Sequence, residues 1–262
     1  MIRKYLSLFK SFFKASLISE LEYRFNITAR IFTDIVWYAA QLSVFEVIFL
    51  HTRSLNGWTL AETRVFMGVL FVTDSLYMLC FSENLDRVGE KVRRGDLDLL
   101  LVKPVNSQWM MSLQKVSIAY IGNFFISLGW LTFALLKLDT EIGLRFLWLV
   151  PMVPIGLTIV YSIRFIIAST ALFFTRADAV TYIWYQLYRL GTRPDSIYPL
   201  VLRYTVLSVL PIAFLASVPA RLILNRASPW MALLGVGLSV TLLFISHRVW
   251  NYGLRQYSSA SS

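Results

Sequence analysis

Glu83-Asn84-Leu85-Asp86-Arg87-Val88-Gly89-Glu90-Lys91-Val92-Arg93-Arg94-Gly95-Asp96-Leu97-Asp98-Leu99-Leu100-Leu101-Val102-Lys103-Pro104 is the densest charged stretch in a chain that is only 15% charged. Asp86 and Glu90, four apart, share one helical face. Leu85, Val88 and Val92 fall at i, i+3 and i+7 on another. Gly95 stands where a C-cap glycine would stop that helix. Pro104 ends the leucine run, and Asn106 or Ser107 is placed to cap the next helix. The stretch therefore predicts a short amphipathic helix, a glycine stop, an apolar patch and a proline, held between two apolar segments.

Outward from this loop the chain is greasy. Hydrophobic residues make up 57% of it, and the mean hydropathy is +0.61. A soluble domain of this length would be about a quarter charged. The composition is that of an integral membrane protein, and the abundant Trp and Tyr suit a chain that crosses many interfaces. Residues 1–24 alternate Tyr5, Leu6, Phe9, Phe12, Phe13, Leu17 and Leu21 with Arg3, Lys4, Lys10 and Lys14, the pattern of a helix lying in the headgroup region. Apolar runs predict an all-α protein with six spans at about 27–50, 62–82, 109–137, 146–174, 200–223 and 229–250. Residues 1–262 form a single transmembrane domain in which 83–104 is the one substantial polar loop. Pro211 and Pro219 should bend or break the fifth span. The aromatics of 178–190 suggest a surface helix or an irregular approach to that span.

Lys and Arg sort by side. Sixteen fall with the termini, the 83–104 loop and the 175–203 region, and five fall in the other connections. Both termini and the charged loop are therefore expected in the cytoplasm. The net charge of +10 then reflects topology and lipid headgroups, not nucleic acid. The candidate polar residues inside spans are Asp34, Glu46, Asp74 and Arg164, since buried charge in a membrane helix is costly and marks function or pairing. Arg164 could pair with Asp74 or Asp34. A lone cysteine, Cys80, excludes a disulfide framework. Two histidines, His51 and His247, on opposite faces exclude a shared metal site. No G-x-x-x-x-G-K-[ST] phosphate loop, G-x-S-x-G elbow or H-E-x-x-H helix is present, so the chain is not expected to be an enzyme.

The string Arg94-Gly95-Asp96-Leu97-Asp98-Leu99-Leu100-Leu101-Val102-Lys103-Pro104-Val105-Asn106 resembles the G-x-L-D-x-L-L-x-K-P-x-N signature of ABC-2 family ABC-transporter permeases, in their six-span, separately encoded form. Arg193 to Pro199, the prolines of 210–220 and the closing Trp250 to Ala260 are similar to the same family. The resemblance implies a type V exporter-like arrangement with an N-terminal elbow helix and a cytoplasmic coupling helix in 83–104. It implies two copies of a separate ABC ATPase, which would bind and hydrolyse ATP and Mg²⁺ in place of any cofactor on this chain. A second permease, identical or related, would complete the path, in contact with membrane lipids in a bacterial plasma membrane. On that reading Leu85, Val88 and Val92 bury against the ATPase. Asp86, Glu90, Arg93, Arg94 and Asp98 make polar contacts with it, and Gly95 and Pro104 set the turns. The alternative is an ion- or proton-coupled carrier working through Asp34, Glu46, Asp74 and Arg164. Against it, the proline breaks of the last spans have no counterpart in the first two.

Overall fold

The computed structural model describes residues 2–22, 24–138, 140–174 and 178–257. Arg176 and Asp139, and the Ser258 to Ala260 end of the tail pattern, lie outside them. The described chain is all helical, with no strand. Five helical stretches are long and apolar enough to cross a membrane: Phe25–His51, Leu60–Arg94, Ala119–Leu136, Gly143–Leu172 and Trp230–Gln256. Their outward faces are apolar, with Phe32, Val44, Leu233 and Val240 all more than half exposed. That is the inverse of a soluble surface and what hydrocarbon requires.

The chain opens with α1 (Ile2–Glu22) and α2 (Arg24–His51). Helix α3 (Leu60–Tyr77) starts from a full capping box, Thr59 and Glu62 each bonding the other's backbone N–H. It runs through a π turn, Met78–Ser82, into α4 (Glu83–Asp86) and α5 (Val88–Arg94). Then come α6 (Asp96–Leu101), α7 (Ser107–Leu113), α8 (Ala119–Leu136), α9 (Leu149–Ser169), α10 (Asp178–Tyr188), α11 (Leu200–Tyr204), α12 (Ser217–Ile223) and α13 (Trp230–Gln256). Helices α3 and α8 pack as an antiparallel pair, whereas α9 and α13 pack in parallel, Gly235 lying by Ile155 near their distal starts and Trp250 by Phe165 near their proximal ends. The bundle has two ends. The proximal end carries residues 83–118 and α1. The distal end carries the connections 52–59, 138–148 and 225–229.

The core is split accordingly. The large cluster fills the bundle between α3, α8, α9, α12 and the Ile212–Leu215 turn. A second cluster lies at the proximal end, where Leu85, Val88, Leu97 and Leu100 meet Met110, Met111, Phe165 and Trp250.

The expected span over 200–223 is not a single helix. Leu200–Tyr204 ends in a π turn at Thr205–Val209, Leu210 leaves the helical region, and Pro211 supplies no N–H to continue. A single 3₁₀ turn and then α12 follow. Both flanks of this segment sit at the distal end. Ser196 takes hydrogen bonds from Asn56 Nδ2 (2.9 Å) and Trp58 Nε1 (2.8 Å). Arg226 bonds the Gly57 carbonyl and pairs with Glu62 at 2.5 Å. The tip between them packs on Gly156, where an added Cβ would collide with the Phe214 carbonyl. Gly156 lies seven residues into α9, so the tip reaches about 10 Å below the distal end before turning back. The segment is a re-entrant hairpin. The climb from proximal to distal end is made instead by α10 and the turn Arg189–Thr192, which the sequence suggested only as a surface helix or irregular approach.

Candidate functional site

The proximal end is a platform of short helices bonded to the bundle. The π turn releases the Leu79 carbonyl from its helix, and Ser117 N–H takes it at 3.0 Å. Asn84 then holds both backbone groups of Lys115, through Nδ2 at 2.6 Å and Oδ1 at 2.9 Å. Glu83 takes Lys115 Nζ at 2.5 Å and Ser117 Oγ at 2.9 Å. Helix α1 lies along the next segment. Tyr5 Oη accepts from Asn106 N, Ser16 Oγ from Val116 N, and Glu20 from the first N–H groups of α8. A carboxylate at a helix start is favoured by the dipole as well as by those donors. Lys4 reaches the Pro104 carbonyl at 2.5 Å.

Gly95 ends α5 at φ +77°, the left-handed C-cap expected of it. The chain turns there so that α6 folds back beside α5. Asn106 caps α7 through its side chain onto Trp109 N at 2.9 Å. What the turn leaves outward is a rim: Leu99 is 68% exposed and Val102 80%, beside the exposed Leu101, Arg93, Arg94 and Lys103. Glu90 and Arg94 pair across one helical turn at 2.5 Å on the same surface.

A second feature lies deeper. A cleft of 730 Å³ is walled by α2, α3, α8 and α10. Asp34 and Gln41 come from α2, Asp74 from α3, Tyr120 from α8, and Tyr185 and Tyr188 from α10. Tyr188 Oη donates to Asp74 at 2.5 Å, and Asn123 Nδ2 donates to Asp34 at 2.5 Å. Tyr38 stacks on Phe71 with centroids 4.2 Å apart, which fixes the aromatic wall.

A family model described as ABC-2 family transporter protein matches residues 35–261. The chain belongs to the ABC-2 transporter family. No curated protein and no solved structure matches it. As an ABC-2 protein it is a multi-pass membrane subunit of a transporter, and that family's membrane subunits are generally non-catalytic.

Several residues read as ABC-2 coupling contacts have partners inside this chain. Leu85 and Val88 are 1% and 0% exposed in the proximal core, with Val92 half-buried against it. Exposing Leu85 and Val88 to a partner would cost about 1.5–3 kcal/mol each. Asp86 pairs with Arg164 at 2.7 Å and accepts from Tyr185 Oη at 2.9 Å. Arg164 therefore meets neither Asp74 nor Asp34; it ties α9 to α4 and touches Thr181 of α10. Glu46 is held by both arms of Arg64, at 2.7 and 2.9 Å. Glu90, Arg93, Arg94, Gly95, Asp98 and Pro104 remain on or beside the rim.

The sequence reading missed α10 as the member that joins both features. Thr181, Tyr185 and Tyr188 reach Arg164, Asp86 and Asp74 in turn. Their i, i+4, i+7 spacing was the available signal. It also missed the lock on the hairpin. Asp195, fully buried, takes Arg203 and Arg221 at 2.9 Å each and the Ser217 hydroxyl. Burial opposes its charge, but Ser217 and the two guanidiniums outweigh that and hold its carboxyl below the usual carboxylate range.

Proposed function

We propose that this chain is the permease subunit of an ATP-driven exporter, coupled to a separate ATPase at its proximal, cytoplasmic end. The observation that carries the reading is a single helical path. Asp74 in the cleft wall and Gly95 at the rim belong to one run, Leu60–Arg94 and its cap. They are twenty-one residues apart, with the π turn Met78–Ser82 and the turn at Arg87 between them. A push on the rim is delivered to the cleft along this path, with the Asn84 and Glu83 bonds making α4 move with Lys115 and Ser117. The rim matches what a docking surface needs: an apolar centre of Leu99, Leu101 and Val102 inside a charged border.

Residues Leu85, Val88 and Asp86 then serve the coupling from within, by making the platform rigid. Rim residues Arg93, Arg94, Lys103 and Asp98 meet the ATPase. Two ATPases would close on ATP and drive two such platforms. The cleft opens one wall of a pathway that a second permease, identical or related, completes. Helix α10 provides the sixth crossing, which puts both termini in the cytoplasm of a bacterial plasma membrane. The re-entrant hairpin roofs the distal end, where Asp195 pins it.

The test is gentle purification of the tagged protein from its host, with mass spectrometry of what accompanies it. Recovery of a P-loop ATPase, lost on a Leu99→Asp/Val102→Asp change that leaves the permease in the membrane, is expected. An intact permease that brings no ATPase overturns the reading.

A further inference from the structure

Two carboxylates of the cleft stand apart from the other acids of the bundle. Glu46, Glu62, Glu83, Asp86 and Asp195 each hold an arginine or lysine at 2.5–2.9 Å. Asp34 and Asp74 hold none among the described residues; their partners are the neutral Asn123 and Tyr188. Both acids lie in helices that cross the membrane and line the same cavity. Arg30, one turn before Asp34 on α2, attracts it without forming an ion pair, and among the described residues Asp74 has only the Tyr188 hydroxyl. Carboxylates without an ion pair at that depth are costly, and the cost falls when a cation is brought to them.

The walls between them suit such a cation. Trp37, Tyr38, Tyr120 and Tyr185 face the cavity, and aromatic faces attract positive charge most where water is excluded. Tyr120 already faces one cation, since Arg30, outside the cleft lining, lies 5.8 Å from the centre of its ring. The volume, 730 Å³, is in the range of pockets that take drug-sized molecules, about 300–1,000 Å³. An inorganic ion would need a tight oxygen cage, not an open aromatic chamber.

We infer that the cargo taken into this cleft is an amphiphilic organic cation, its charged group held between Asp34 and Asp74 and its apolar body against the aromatic wall. The inference rests on reading the chain as a transporter. Arg189 and Arg193 also border the cleft and define the opposite outcome, an anionic cargo held at the other lining charges.

The experiment compares two probes of nearly one shape and opposite charge, tetraphenylphosphonium and tetraphenylborate, titrated into the purified full-length complex without ATP. Saturable binding of the phosphonium is expected, weakened about tenfold or more by Asp34→Asn or Asp74→Asn and restored by Asp34→Glu. Tetraphenylborate binding as tightly, or phosphonium binding unchanged in Asp34→Asn, overturns the inference. If Asp74→Asn does not purify as a single species, Asp34→Asn and its glutamate rescue decide alone. An ATPase that co-purifies while the phosphonium fails to bind removes only the cargo class. Phosphonium binding with no ATPase removes only the coupling.

Discussion

The Asp86–Arg164 pair joins the platform to the bundle, and its worth can be worked out. Arg164 has a side chain only 1% exposed, and Asp86 is its one acidic partner among the described residues, at 2.7 Å. Asp86→Asn keeps the shape and removes the charge, leaving a guanidinium buried against the Leu85 carbonyl and Thr181. Breaking a fully buried pair costs about 3–5 kcal/mol. Asp86 is 32% exposed, so water screens part of the interaction, and about 2–3 kcal/mol is the better figure. For a chain of this size that lowers the melting temperature by about 4–12 °C. The assay is thermal unfolding of the purified permease in detergent, on Asp86→Asn, Arg164→Met and the double variant. The double variant should be less damaged than the sum of the two, since no unpaired charge remains. An unchanged melting temperature for Asp86→Asn, or strict additivity, would refute the claim that this pair anchors the platform.

Gly95→Val forces a branched residue into φ +77° and should cost about 1–2 kcal/mol or more; ATPase recovery in the pull-down is expected to drop while membrane insertion stays intact. Gly156→Ala drives a Cβ into the Phe214 backbone, so unfolding should show a loss of about 1–3 kcal/mol. Gly237→Ala, in open space on α13, should be neutral or gain up to about 1 kcal/mol in the same measurement. Asp195 makes the hairpin acid-sensitive. Its folded carboxyl lies below the ordinary value of about 4, so its contribution is complete above that pH and lost as pH falls through the folded value. Wild type should therefore exceed Asp195→Asn in melting temperature by a constant margin near neutrality that shrinks in acid; a margin that grows in acid would reverse the assignment.

Much of the architecture was legible from local rules. The interleaved basic and apolar residues of α1, the greasy runs, the Gly95 stop and the Asn106 cap all depend on neighbours within a few positions, which a sequence displays. The misreadings share one cause. Leu85 and Val88 form a helical stripe, and a stripe reveals that a face is buried without revealing against what; here Met110, Phe165 and Trp250 cover it. Hydropathy over 200–223 is high enough for a span, yet direction is set by Pro211 and by Asp195 gripping Arg203 and Arg221 from 8 and 26 residues away. Arg193 and Arg203, grouped with the cytoplasmic charges by counting, lie beside the distal connections for that reason. The sequence suggested Asp74 or Asp34 as the partner of Arg164, and packing selects Asp86 instead. Helix α10 hid because its Tyr and Trp positions look interfacial, while Trp184 and Tyr188 are in fact core.

The central claim is that the rim of α6 receives an ATPase. The direct test places a photo-crosslinking residue at Val102, with a second protein carrying it at Leu233 on the lipid-facing surface of α13. Illumination of intact cells is expected to join the Val102 protein, and not the Leu233 protein, to a P-loop ATPase. Lipid adducts alone from both positions, with the permease correctly inserted, would contradict the account.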